Sequence, residues 1–146
     1  MEVAEEVLEN YPLIVAAYDL IFYRRDLELA RRLMEILHNR SLDEKERAAF
    51  QVLEVAYKAA ANPPCGDQEA LKRYAERLNN IHTPGWSFLL KILTQMHLGY
   101  ADPKHIAVIK RGISRTIEKC SGDNLSIYYF ALLAIDRIKP LCQNTQ

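Results

Sequence analysis

The sequence predicts an all-α fold of about eight helices, arranged either as stacked antiparallel helical hairpins in a short solenoid-like array or as a compact helical bundle. Three observations carry this. Apolar residues recur at helical spacing along nearly the whole chain, and no segment shows the two-residue alternation of a strand. A capping side chain followed by proline opens helices, as at Thr83-Pro84 and Asp102-Pro103. The order helix, turn, apolar helix, proline recurs, with prolines at 64, 103 and 140 spaced by 39 and 37 residues.

Taken in order, residues 2–9 read as a short acidic helix, with Glu2, Glu5, Glu6 and Glu9 set off from Val3, Val7 and Leu8. Pro12 then opens a helix through Phe22 that is apolar nearly all round, the mark of a buried segment. Asp26 is placed to cap a helix over Leu27 to His38, with Ala30, Leu33, Met34 and Leu37 on one face. Ser41-Leu42-Asp43-Glu44 has the form of a capping box, and the long helix after it runs to about Ala61, where Asn62-Pro63-Pro64 stops it. Asp67 caps the next, which carries Ala70, Leu71, Tyr74, Ala75 and Leu78 toward the core. Thr83-Pro84 restarts the chain into an apolar helix from Trp86 to Leu98, ended by Gly99. After Asp102-Pro103 comes a helix through Ile106, Ile109, Ile113 and Ile117, stopped by Ser121-Gly122. Asp123 caps a last helix that stops near Lys139-Pro140, and residues 141–146 form a polar tail.

The chain is 146 residues long, 49% apolar and 26% charged, so a single globular all-helical domain that needs neither metals nor disulfides to bury its core is expected. Within it lie hairpin-like units at about 26–64, 67–102 and 103–140. Lys plus Arg and Asp plus Glu both total 19, which leaves no global charge to draw the protein to nucleic acid or lipid. Three cysteines, Cys65, Cys120 and Cys142, are an odd number with no close pair, and read as reduced thiols of a cytoplasmic protein. The acidic start of the chain is unlike the basic, then apolar, pattern of an export signal.

The repeated plan resembles the helix-turn-helix repeats of the tetratricopeptide and HEAT type, in architecture only. The tetratricopeptide unit is shorter, and its first-helix glycine and tyrosine have no consistent counterparts here, so no family residue carries over. One feature of the repeat points beyond packing. Each opening helix holds an apolar residue followed by two basic ones: Ala30-Arg31-Arg32, Leu71-Lys72-Arg73 and Ile109-Lys110-Arg111. Arg77 and Arg115 follow four residues after Arg73 and Arg111 and so share their faces. With the opening helices side by side, these eight residues make a basic stripe suited to a carboxylate-rich peptide or to phosphates, because guanidinium binds both bidentately. The opposite expectation, a solvated face, rests on Glu35, Glu76 and Glu118, which stand close enough to neutralise it. The acidic helix over residues 2–9 is a further candidate to lie against the stripe.

Catalytic signals are sparse. His38, His82, His97 and His105 lack ligand spacing, no glycine-rich phosphate loop or serine nucleophile motif occurs, and no cofactor is expected. Arg77 to His82, and Arg32 to His38, resemble the arginine-to-histidine signature of HEPN-type all-helical ribonucleases, in which the pair acts on an RNA phosphodiester, often across a dimer. Leu78 and Leu33 stand where that signature has a polar residue. Among the aromatics, Trp86, Phe88, Tyr128 and Phe130 lie within apolar helices and are expected for the most part in the core, while Tyr100 and one of Tyr128 and Tyr129, which cannot both point inward, are placed to reach a partner. The functional expectation is a non-enzymatic interaction module with a protein partner, then a subunit of a nucleic-acid-binding complex, then a ribonuclease; end repeats with apolar flanks also make a homo-oligomer a candidate.

Overall fold

A computed structural model describes residues 9–119 and 125–142, and among these there are seven α-helices and no strand. They are α1 (Asn10–Asp19), α2 (Leu27–His38), α3 (Glu44–Ala61), α4 (Gln68–Asn79), α5 (Ser87–Leu98), α6 (Pro103–Lys119) and α7 (Leu125–Ile135). The expected helix over residues 2–9, apart from Glu9, the Ser121-Gly122 stop with its Asp123 cap, and the tail beyond Cys142 lie outside the described residues.

The capping signals act at three of the expected places. Asp26 accepts from the Leu29 N–H at 3.1 Å, Asp67 from the Ala70 N–H at 3.0 Å, and Asp102 from the Lys104 N–H at 3.0 Å. Two starts differ. The capping box of α3 is Asp43 with Glu46, not Ser41 with Glu44: Asp43 Oδ1 accepts from the Glu46 N–H at 2.8 Å and Glu46 Oε1 from the Asp43 N–H at 3.0 Å. The α5 helix begins at Ser87 rather than at Pro84, because Gly85 takes a left-handed φ of 58° and turns the chain once more. Ser87 Oγ ties that turn by donating to the Pro84 carbonyl. At the other end of α5, Gly99 at φ 89° lets its own N–H reach the Met96 carbonyl while the Tyr100 N–H reaches Gln95, a Schellman-type close.

The first apolar helix does not run on to Phe22 as an α-helix. At Leu20–Arg24 it widens into a π-helical turn, whose end has the Arg25 N–H bonded to the Leu20 carbonyl and Arg25 itself at φ 54°. A left-handed non-glycine residue costs roughly 1–2 kcal/mol. Burial offsets it, since Leu20, Ile21 and Phe22 all enter the core.

The principal helix pairs are α1 with α2 and α3, α2 with α3, α3 with α4 and α5, α4 with α5, α5 with α7, and α6 with α7. The second helices of the three units thus meet in order, α3 on α5 and α5 on α7. The opening helices α2, α4 and α6 are not principal neighbours of one another. One cluster of buried side chains draws on every helix, from Leu13 and Tyr18 in α1 to Ile127 and Ala131 in α7. Polar ties cross it: Tyr18 Oη donates to the Ala49 carbonyl at 2.8 Å, and Tyr11 Oη accepts from the Ile127 N–H at 2.8 Å, serving one of the unpaired N–H groups that open α7.

The chain end is fastened as well. The Leu141 N–H donates to the His97 carbonyl at 2.7 Å, and Cys142 forms a disulfide with Cys65, in the turn after α3. This corrects the expectation of reduced thiols for these two, since residues 77 apart in sequence are brought together by the packing of α3 on α5 and α5 on α7 and by the Leu141 bond to α5. Cys120 lies outside the described residues. Among the described residues no helix is long and apolar enough to cross a membrane.

Candidate functional site

The eight basic residues singled out by the repeat lie on α2 (Arg31, Arg32), α4 (Lys72, Arg73, Arg77) and α6 (Lys110, Arg111, Arg115). All are exposed except Lys110, which is half-buried. The outward aim follows from amphipathicity: α4 turns Leu71, Tyr74 and Leu78 inward and α6 turns Ile109, Ile113 and Ile117 inward, so the intervening basic residues face out.

Their electrostatics divide. On α2, Arg31 Nη2 binds Glu28 at 2.7 Å, Arg31 Nη1 binds Glu35, and Arg32 Nε lies 3.9 Å from Glu28. The hydrogen bond and charge of Arg31 hold the Glu28 carboxyl below its usual range, and Glu28 in turn holds the Arg31 guanidinium above its own. On α6, Lys110 Nζ binds Asp136 at 2.8 Å. Lys72, Arg73, Arg77, Arg111 and Arg115 make no ion pair among the described residues. Glu35 is therefore paired as expected, whereas Glu76 and Glu118 form no ion pair among the described residues. Arg111 and Arg115 also line a shallow open groove with Ser114 and Glu118 along the outer face of α6.

The paired arginine and histidine positions are all on the surface. Arg77 and His82 are exposed, as are Arg32 and His38, whose ring sits 6.2 Å from that of Phe50. His105 is exposed, its ring 6.0 Å from Phe88. His97 stands apart from the other three. It is fully buried on α5, Nδ1 lies 3.2 Å from the Lys139 carbonyl, its ring packs 4.8 Å from Phe22, and Nε2 has no partner among the described residues. Burial first, and the charge of Arg25 second, push it down to about 4, so the ring is neutral at pH 7. Among the described residues no three metal-binding side chains gather.

Trp86 is buried and packs edge-on against Tyr11 at 5.0 Å, as the core reading requires. Of the tyrosines expected to reach outward, Tyr129 is 49% exposed, while Tyr128 and Tyr100 are half-buried. A second feature was not anticipated. Lys91 on α5 donates from Nζ to the carbonyls of Asn79 and Ile81 at 3.4 and 3.0 Å, capping the C-terminal end of α4 from outside that helix. No protein-family model, no curated protein and no solved structure matches this chain.

Proposed function

We propose that this protein is a non-enzymatic helical interaction module that binds another macromolecule through the basic faces of α4 and α6. The observation that supports the reading is the contrast in pairing. The α2 arginines already hold carboxylates, whereas Lys72, Arg73, Arg77, Arg111 and Arg115 project into solvent without one. An exposed guanidinium with no partner binds an incoming carboxylate without first breaking an internal pair. The preferred partner is a protein segment rich in Asp and Glu. Stacked hairpins are the arrangement favoured for the domain, in keeping with the meeting of α3, α5 and α7 in order.

The second reading, a small helical subunit of a nucleic-acid-binding complex in which the same residues meet phosphates, draws on the same faces. Titration of a labelled Asp/Glu-rich peptide and of labelled single-stranded RNA and DNA, each at two salt concentrations and with an Arg73→Glu, Arg111→Glu variant alongside, separates the two. Peptide binding that is lost in the variant is the expected result. Nucleic-acid binding whose logarithm falls with log salt by about 0.7 per phosphate contacted replaces it with the second reading. No binding of either by the wild-type chain at low salt removes both.

A further inference from the structure

The π-helical turn creates a second place of interest, which shares no lining residue with the basic faces of α4 and α6. In an α-helix a residue shares its face with those three and four later. Here the widened turn brings Tyr23 and Arg24, four and five after Asp19, round to the same side, and Arg24 Nε binds Asp19 Oδ2 at 2.8 Å. Against this turn lies the C-terminal half of α7. Between the two is a half-open cleft of about 330 Å3, within the lower range of small-molecule sites.

One wall of the cleft is apolar. Phe130 stands edge-on to Tyr23 with ring centres 6.4 Å apart, and Leu133, 57% exposed, and Ala134 continue the wall along α7. The other wall is polar and unbalanced. Arg24 is matched by Asp19, but Arg137, just past the end of α7, has no ion pair among the described residues, so the lining carries one net positive charge. Tyr23 Oη is screened from water and has no hydrogen-bond partner among the described residues, an arrangement that costs about 1–3 kcal/mol when nothing fills it. Burial, and then the Asp19 carboxylate, push Tyr23 up to about 12, so the hydroxyl keeps its proton at neutral pH and is available to donate.

We propose that this cleft binds a small amphipathic monocarboxylate, with its carboxylate on Arg137 and Tyr23 Oη and its hydrocarbon body along Phe130 and Leu133. One unmatched cation beside a neutral donor suits a single negative charge. A dianionic phosphate would bring excess charge close to Asp19, and an uncharged lipid alcohol would leave Arg137 without a partner. Entry requires a lining side chain to move off Tyr23 Oη, and Arg137, which is exposed, is free to follow the carboxylate. Three other cavities lack this combination: the recess beside the disulfide, lined in part by Pro64, Leu71 and Leu98, carries no charged side chain, the groove on α6 belongs to the basic face, and in the cleft between α2 and α3 Arg31 is already paired with Glu35 and faces Glu54 as well.

The test is a titration of the full chain with octanoate, 1-octanol and octyl phosphate, followed by amide chemical shifts. Octanoate is expected to move the amides around Tyr23 and Leu133 at lower concentration than either of the others. Arg137→Gln, an exposed change that leaves packing intact, should weaken octanoate at least about tenfold, and Tyr23→Phe about threefold or more. Arg73→Glu, Arg111→Glu should leave it unchanged, which keeps this site separate from the basic faces. Equal binding of 1-octanol, tighter binding of octyl phosphate, an undiminished Arg137→Gln variant, or no shift near Tyr23 at millimolar octanoate each overturns the proposal.

Discussion

Helices α3 and α4 pack against each other and follow the same amphipathic plan, yet they contribute in different ways. Seven α3 residues are buried, among them Val52, Leu53 and Ala56, because α3 is flanked by α1, α2, α4 and α5. Only Leu78 is buried on α4, and α6 likewise buries only Ile113. A helix with neighbours on most sides must commit its surface to packing. One held from a single side keeps most of its circumference for solvent, and in α4 and α6 that freed surface carries the unpaired basic residues. The surrounded helices thus set stability, and the peripheral ones are free to vary in charge.

The sharpest way to break this contrast is truncation on each helix. Leu53→Ala, at a fully buried site, is expected to lose about 3–5 kcal/mol in urea denaturation, whereas Leu71→Ala on α4, half-buried, loses about 1 kcal/mol. Similar losses for the two would mean that α4 is as much a part of the core as α3.

Acid probes the surrounded region through His97. Its folded value of about 4 lies below the unfolded value near 6.5, so the unfolded chain binds the proton more readily. The stability it contributes is complete above about pH 6.5 and is lost as pH falls toward 4, by about 3 kcal/mol at most. Denaturation midpoints measured from pH 7 to 4.5 should fall less steeply for His97→Leu than for the wild type. Parallel slopes would show that His97 does not titrate differently on folding.

The smallest effect belongs to the surface. Glu28→Gln, Glu35→Gln frees the α2 arginines and should raise affinity for an acidic peptide by about threefold with little change in stability. Unchanged affinity in that titration would mean that α2 lies away from the binding face.

Much of this division was legible beforehand. The aspartates at 26, 67 and 102 marked helix starts because a short acceptor before an apolar period has few other uses. The start of α3 was misplaced because two overlapping boxes, Ser41 with Glu44 and Asp43 with Glu46, satisfy the same local pattern, and only packing selects between them. The π turn was hidden inside a run of apolar residues whose composition does not distinguish four-residue from five-residue hydrogen bonding. For the basic residues, spacing was ambiguous rather than silent. Glu28 stands four before Arg32 and approaches it, while Glu69 stands four before Arg73 and makes no ion pair among the described residues. The cleft beside Tyr23 required α1 and α7 to meet, and no sequence period reports a contact over that separation.

The disulfide between Cys65 and Cys142 makes the second half of the protein a covalent ring that encloses α4, α5, α6 and α7. A protease that cuts any connection inside that ring opens the loop without releasing a fragment. The nicked chain keeps its full mass until a reductant is added, so intactness on a non-reducing gel does not establish that these connections are uncut.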